Sequence, residues 1–216
     1  MCIRDRSRVY IVRHGNTFDQ GEVILRVGGR TDIPLSTSGI DQAKALKAHF
    51  ADISFAQIFS SDLKRTRQTT EIITNNVNYT RLDMLSEVDY GPDEGKPEQD
   101  VVDRVGQTAL DLWNSEAIPP QGWLVEPDQI RADWVAFLAR LPRMQNTLVV
   151  TSNGTARFLL DVVKYGGGAE RKLRTGSYGI IRLSDTGPEL ECWISGLKTR
   201  PPCRHRPGLR LAVIRR

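Results

Sequence analysis

The chain has 216 residues, of which 39% are hydrophobic and 26% are charged, as in a globular protein large enough for one substantial core. It contains no run of about 18 apolar residues and no apolar stretch near its start, so the sequence predicts neither a membrane span nor a secretion leader. We therefore expect a cytoplasmic protein that does not bind membranes.

The formal net charge of +4 is concentrated at the two ends of the chain. Residues 9–197 hold 20 basic and 25 acidic residues, so the central part is acidic and offers no basis for specific nucleic-acid binding. The three cysteines, at positions 2, 192 and 203, lack metal-ligand spacing, which predicts free thiols in a reducing compartment. We expect one domain over residues 8–201, with 1–7 and 202–216 as unstructured extensions.

The first predicted element is a buried strand that begins at Val9 and ends at a break marked by Gly15. It brings Arg13 and His14 to the edge of a sheet, where ligands bind in open α/β folds. A guanidinium fork can bind phosphate oxygens bidentately, and a neighbouring imidazole can attack phosphorus. The strand end is therefore a candidate phosphate site.

The rest of the chain alternates helical and extended patterns. Helices are predicted at 38–50, from a cap at Asp62 to about Asn75, and at 98–114, 128–141 and 155–164. Strands are predicted at 55–60, 147–151, 177–183 and 189–194, with a short extended piece near 81–86. This alternation predicts an α/β fold, a three-layer α/β/α sandwich with a mostly parallel central sheet and helices on both faces. The helices at 98–114 and 128–141, with three nearby tryptophans, suit either a lid or the core.

Four segments share the order and spacing of one family's motifs. They are Arg-His-Gly-Asn-Thr at 13–17, Gly-Arg-Thr-Asp-Ile-Pro-Leu-Ser at 29–36, the helix start at 60–69, and Glu-Val-Asp-Tyr-Gly at 87–91. Together they resemble the histidine phosphatase superfamily, in the branch of cofactor-dependent phosphoglycerate mutases and small broad-specificity phosphatases. The resemblance covers about residues 8–201.

The resemblance implies catalytic roles for two side chains. His14 matches the nucleophile that becomes transiently phosphorylated, which needs one ring nitrogen free and the other held by a hydrogen bond. Glu87 matches the proton donor to the leaving alcohol, a role worth roughly 10²–10⁴ in rate, and Glu94 is the nearby alternative.

The resemblance also implies phosphate-binding positions. Arg13 and Arg65 match the clamping arginines, and Arg65 lies in the first turn of its helix, where a cation is unfavourable unless an anion is bound there. Asn16, Thr17 and Gln20 fall at pocket positions, with ordinary loop polarity as the alternative reading.

One position departs from the family pattern. Members usually carry a second histidine in a string such as Ser-His-Gly, whereas this chain has Asn153 before Gly154. An amide can donate a hydrogen bond to phosphoryl oxygen but carries no charge, and loss of a charged donor typically costs roughly 10²–10³ in rate. Ser152 or Asn153 would also suit the N-cap of the following helix. Arg157 is a candidate for restoring part of the positive charge.

These features predict a phosphomonoester hydrolase that needs neither metal nor cofactor and acts on a small phosphorylated metabolite through a phosphohistidine at His14. Two alternatives stay open. A phosphoglycerate mutase-type phosphoryl transferase would need a site that excludes water. A degenerate, noncatalytic phospho-ligand binding protein is the other, because Asn153 replaces a catalytic histidine.

Overall fold

A six-stranded mixed sheet lies at the centre of the computed structural model, which describes residues 7–167 and 170–193. Its strands in chain order are β1 (Ser7–Arg13), β2 (Gln57–Ser60), β3 (Thr80–Arg81), β4 (Asn146–Thr151), β5 (Tyr178–Ser184) and β6 (Gly187–Trp193). The spatial order is β3-β2-β4-β1-β5-β6, parallel from β3 to β1 and antiparallel at β5 and β6. The carboxyl ends of β1, β2 and β4 therefore meet at one edge.

Helices cover both faces of this sheet. Within the described residues they are α1 (Thr37–His49), α2 (Lys64–Thr74), α3 (Glu98–Val105), α4 (Gln107–Glu116), α5 (Pro127–Arg140) and α6 (Asn153–Ala156), with short 3₁₀ helices at Asp83–Leu85, Gly91–Asp93 and Arg157–Asp161. None of these described helices is both long and apolar enough to cross a membrane.

The alternation of side chains along β1 divides the core in two. Tyr10 and Val12 pack in the cluster that includes Leu46 of α1, whereas Ile11 packs in the cluster that includes Trp134 of α5. Successive strand residues point to opposite faces, so a run of apolar residues such as β1 must be covered on both sides. The predicted three-layer α/β/α sandwich is confirmed.

Two predicted helices differ from the structure. The helix expected at 98–114 is divided into α3 and α4 at Gly106, whose φ of 80° lies in a region that an interior helical residue does not adopt. The helix expected at 155–164 begins two residues earlier, at Asn153, and continues from Arg157 as a 3₁₀ turn. Both tryptophan-bearing helical regions contribute to the core, because Trp113 and Trp134 are buried.

Asp62 was the expected cap of α2, and this prediction is wrong. The helix begins at Lys64, and the backbone N–H of Lys64 donates to Asp32 Oδ1 at 2.6 Å. Asp62 instead forms an ion pair with Arg81 at 3.2 Å. The carboxylate that satisfies this helix start comes from a distant loop, which a local capping rule does not detect.

The expected boundaries shift slightly elsewhere. Ser7, which was assigned to an extension, is the buried first residue of β1. The extended piece near 81–86 is a two-residue strand followed by a 3₁₀ turn. Cys192 is buried, while the other two cysteines, residues 1–6 and residues 194–216 lie outside the described residues.

Candidate active site

The turn after β1 fixes His14 at the shared edge of the parallel strands. Its backbone N–H donates to Thr151 O at 3.1 Å, and its carbonyl accepts from Gly176 N at 3.0 Å. The next residue, Gly15, packs so closely on the start of α1 that an added Cβ would lie 2.4 Å from Gly39 O. A side chain at this position would therefore displace either the helix or the histidine.

The imidazole of His14 is held as a neutral ring. It is 5% exposed, and its Nδ1 lies 2.7 Å from Gly15 O. Burial, followed by the positive charges of Arg65 and Arg13, lowers the pKa of His14 well below its ordinary value. A neutral ring whose Nδ1–H donates to a carbonyl has its lone pair on Nε2. Nε2 is thus in the state that a nucleophile requires.

Two guanidinium groups stand beside this ring. Arg13 donates to Leu173 O at 2.7 Å, while Arg65 donates to Thr31 O at 2.8 Å and Gly28 O at 3.0 Å. The Nε atoms of Arg13 and Arg65 are buried without a hydrogen-bond acceptor among the described residues. These contacts fix the orientation of both forks.

A cavity of about 780 Å³ opens at this edge, and we call it the His14 cavity. Seven of the nine predicted site residues line it: Arg13, His14, Asn16, Thr17, Gln20, Glu87 and Asn153. The other two do not form its wall. Arg65 has no exposed surface and lies under the 28–31 loop, and Gly154 lies against the carboxylate of Glu87.

Glu87 places its carboxylate in the cavity wall with 8% exposure. Its Oε1 accepts from Val88 N at 3.0 Å. A Cβ added at Gly154 would lie 1.9 Å from the same oxygen, so the absence of a side chain at the start of α6 makes room for the acid.

Glu94, the alternative acid, has a different environment. Its Oε1 accepts from Arg30 N at 2.8 Å and Thr31 Oγ1 at 3.0 Å, and its Oε2 accepts from Tyr90 N at 3.1 Å. These bonds tie two loops together, and Glu94 does not line the cavity. Of the two carboxylates, Glu87 is the one beside the imidazole's cavity.

Asn153 is the first residue of α6 and lines the cavity. Its Oδ1 accepts from Leu173 N at 2.8 Å, which turns the amide nitrogen away from that backbone. Ser152 is the N-cap residue, but its side chain makes no capping bond, and its Oγ is buried without a partner among the described residues. Ser152 thus holds the expected N-cap position but does not cap the helix through its side chain.

Arg157 forms a fixed cation in the cavity wall. It is 2% exposed, its guanidinium carbon lies 3.9 Å from the centre of the Trp113 ring, and it donates to Trp113 O and, at 3.4 Å, to Asn153 O. Burial lowers the pKa of Arg157 to about 10, so the side chain stays charged at neutral pH.

The loop after His14 is anchored to α1. Asn16 Nδ2 donates to Ser38 Oγ at 3.1 Å, and Asn16 Oδ1 accepts from Thr175. Asp19 accepts from the N–H groups of Thr37 at 3.1 Å and Ser38 at 2.9 Å. The pKa of Asp19 is lowered by hydrogen bonding to the side chain of Ser38 and then to its backbone N–H. Sequence reasoning missed this remote cap, because the acid lies 18 residues before the helix it serves.

Sequence reasoning also missed several residues of the cavity wall. These are Arg26, Tyr90 and Lys172. The region 98–114, for which a lid over the pocket was one of two expectations, adds Glu98 and apolar residues that include Val102, Leu110 and Trp113. Within the ranges that the structure describes, no group of three or more His, Cys, Asp or Glu side chains is placed to hold a metal ion. The side chains gathered here suit an anion.

Comparison with curated proteins gives relatives of two kinds. The chain is 34% identical over 140 residues to fructose-2,6-bisphosphatase TIGAR B of Danio rerio, a match that covers 61% of this chain and 51% of that protein. It is 32% identical over 188 residues to the probable phosphoglycerate mutase GpmB of Proteus mirabilis, covering 82% and 84%. The chain thus spans about half the length of the first of these relatives.

Solved structures share the fold. A mycobacterial glucosyl-3-phosphoglycerate phosphatase aligns with a TM-score of 0.70 at 20% identity, over 86% of this chain and 98% of that one. The protein TTHB049 of Thermus thermophilus aligns with a TM-score of 0.62 at 26% identity, over 85% and 96%. The model of the histidine phosphatase superfamily (branch 1) matches residues 9–195. The chain therefore belongs to this superfamily, and the neutral imidazole lies at the end of its first strand. Its relatives there are phosphatases and phosphoglycerate mutase-like proteins.

Proposed function

We propose that this protein hydrolyses a small phosphomonoester through a phosphohistidine at His14, without a metal ion. The observation that carries the proposal is the neutral, buried imidazole in the cavity wall, with Nε2 available and with the positive charges of Arg65 and Arg13 acting on it. Relatives named as phosphatases support hydrolysis as the outcome.

In the first step, Nε2 of His14 attacks phosphorus, and the bond between phosphorus and the ester oxygen breaks. The electron pair of that bond goes to the leaving oxygen, which takes a proton from the carboxyl group of Glu87. Arg13, which lines the cavity, can bind the phosphoryl oxygens, and the buried charge of Arg65 acts on them from behind the wall. The products of this step are the free alcohol, ionised Glu87 and a phosphohistidine.

In the second step, water attacks phosphorus while Glu87 accepts a proton from it. The phosphorus–nitrogen bond breaks, its electron pair returns to Nε2, and orthophosphate leaves. The hydrogen bond from Nδ1–H to Gly15 O supports both steps, because it holds the ring's orientation and disperses the charge of the phosphorylated imidazole.

Asn153 bears on the rate rather than on the type of reaction. Asn153 lines the cavity, and an amide can donate to a phosphoryl oxygen, but it supplies no charge. We therefore expect a slower enzyme than one with a cationic donor there. A noncatalytic phospho-ligand binding protein remains the competing function that this residue favours.

The test is hydrolysis of an aryl phosphate by purified protein in the presence of a chelator. We expect turnover by the wild type, none by His14→Ala, and unchanged turnover by His49→Ala, whose ring bonds Tyr178 OH at 2.6 Å outside the cavity. Mass spectrometry at neutral pH should detect phosphate on His14. No turnover by the wild type, or equal turnover by His14→Ala, refutes the proposal; phosphoryl exchange between phosphoglycerates would instead support a mutase.

A further inference from the structure

The peptide group between Gly15 and Asn16 holds the imidazole of His14 and is itself held by a side chain of α1. Its carbonyl, Gly15 O, lies 2.7 Å from Nδ1 of His14. Its N–H, on Asn16, donates to Oε1 of Gln42 at 2.8 Å. Because a peptide group is planar, a bond to the N–H also fixes the direction of the carbonyl. Gln42 is therefore connected to the imidazole through one rigid unit.

The turn needs such a bond because glycine restricts the backbone less than any other residue. Rotation of the 15–16 peptide group would turn its carbonyl away from Nδ1 of His14. The preceding peptide group is held in a similar way, because the N–H of Gly15 donates to Oγ1 of Thr69, in α2, at 3.2 Å. A side chain from each of two helices thus fixes the peptide groups on either side of Gly15, and the group that Gln42 fixes carries the carbonyl beside the ring.

The side chain of Gln42 is fixed by close packing. A Cβ added at Gly176 would lie 2.7 Å from Cβ and 3.0 Å from Cγ of Gln42, so this glycine leaves the glutamine no room to move toward it. The N–H of Gly176 donates to the carbonyl of His14. Three residues before Gln42, on the same face of α1, Gly39 packs on Asn16, where an added Cβ would lie 2.1 Å from the carbonyl oxygen. One face of α1 thus contacts both backbone polar groups of Asn16.

We propose that Gln42 is a positioning residue for the nucleophile: it fixes and polarises the 15–16 peptide group and so holds His14 in the tautomer that leaves Nε2 unprotonated. The inference rests on the proposed function, in which Nε2 attacks phosphorus. An acceptor on the N–H of an amide increases the negative charge on its carbonyl oxygen, which strengthens the hydrogen bond from Nδ1–H. Gln42 does not line the His14 cavity, so it acts through this peptide group and not on the substrate.

The first experiment follows the His14 imidazole by nuclear magnetic resonance in the resting protein, with Gln42→Met and Gln42→Glu beside the wild type. Methionine keeps the length of the side chain and removes the oxygen acceptor, whereas glutamate keeps an acceptor oxygen. In Gln42→Met the Nδ1–H proton should exchange with water about fivefold faster, because the bond that holds it is weaker. In Gln42→Glu the exchange should be no faster than in the wild type, and the proton resonance should move to lower field, because a charged acceptor polarises the peptide group more strongly.

The second experiment separates positioning of the nucleophile from binding of phosphate. With an alkyl phosphate, kcat/KM should fall about tenfold in Gln42→Met, because the nucleophile is less well oriented. The inhibition constant of inorganic phosphate should change less than about twofold, because Gln42 does not contact the cavity. The matched control is Gln68→Met, since Oε1 of Gln68, in α2, accepts from Leu35 N at 2.7 Å and not from the turn of His14. It should lower Tm about as much as Gln42→Met and leave the Nδ1–H exchange rate unchanged.

The two experiments distinguish this inference from the proposed function. If the protein hydrolyses no phosphomonoester, the proposed function fails, and the exchange rates in the resting protein still decide whether Gln42 holds the ring. The positioning role is overturned if a folded Gln42→Met protein keeps the wild-type exchange rate or kcat/KM, or if Gln68→Met changes the exchange rate equally. If Gln42→Met does not fold, Gln42→Glu decides, and an Nδ1–H resonance that stays at its wild-type position overturns the role.

Discussion

The substitution Gly154→Ala tests whether Glu87 is the proton donor, because it moves that acid without changing it. A Cβ at position 154 would lie 1.9 Å from Glu87 Oε1 and 2.8 Å from Val88 Cγ2. Ordinary van der Waals contact begins near 3.4 Å, so the carboxyl oxygen must move by about 1.5 Å. The end of a glutamate side chain can make that movement while the backbone stays in place.

A displacement of this size predicts a selective kinetic defect. Misplacing a catalytic group by about 1 Å can cost roughly 10² in rate, within the roughly 10²–10⁴ that a general acid contributes. We expect kcat for an alkyl phosphate to fall about 10²-fold, because an alkoxide needs a proton in order to leave. With p-nitrophenyl phosphate, whose leaving group departs as a stable anion, the loss should stay below about tenfold. The fold should lose about 1 kcal/mol, which lowers Tm by roughly 2–4 °C.

The assay measures both substrates with the wild type, Gly154→Ala and the control Gly166→Ala, whose added Cβ would meet nothing within 4 Å. Glu87→Gln should show the same selectivity, and adding Gly154→Ala to it should cause no further selective loss. Equal losses on the two substrates would refute the reasoning, because they would indicate general damage to the cavity. So would a folded Gly154→Ala protein with unchanged alkyl phosphate turnover.

Three further predictions concern the charges of the site. The pKa of His14 is lower in the folded than in the unfolded chain, so the free energy of unfolding should fall as pH drops below about 6.5. In urea unfolding at several pH values, His14→Gln should reduce the slope of that free energy against pH by up to about 1.4 kcal/mol per pH unit. Equal slopes for the two proteins would contradict this prediction. Lysine at position 65 cannot keep both hydrogen bonds to the carbonyls of the 28–31 loop, so in Arg65→Lys inhibition by inorganic phosphate should weaken about tenfold. The control Arg140→Lys changes an exposed arginine and should leave the inhibition unchanged. Asn153→His should raise aryl phosphate turnover about tenfold, whereas Asn153→Ala, which loses the hydrogen bond from Leu173 N, should lower it. A fall in turnover with both variants would contradict the idea that the site lacks a positive charge at this position.

The motifs could be located from the sequence because they follow parallel strands. Arg13 at the end of β1 is in register with Thr151 at the end of β4, and Val150 is in register with Ser60 at the end of β2. Segments that follow these strands must therefore meet at one edge. The proximity of His14, the start of α2 and Asn153 is a consequence of that topology.

The places of Arg26 and Lys172 in the cavity wall could not be predicted in this way. Arg26 is placed by backbone bonds to a distant segment, from its N–H to Lys96 O and from Gly95 N to its carbonyl, each at 2.8 Å. Lys172 enters the cavity wall through a loop with no periodic pattern. The carboxylates that cap α1 and α2 are also supplied from remote loops. Contacts of this kind depend on the whole chain, so local propensity and capping rules do not detect them.

The two arginines beside the imidazole link phosphate binding to nucleophilicity. Their positive charges attract the phosphoryl oxygens, and the same charges help keep His14 unprotonated when the cavity is empty. A bound phosphate dianion offsets those charges and makes the ring more basic. The lone pair on Nε2 is then more nucleophilic when the phosphate is present. Asn153, which lines the same cavity, adds no further charge to that of the two arginines.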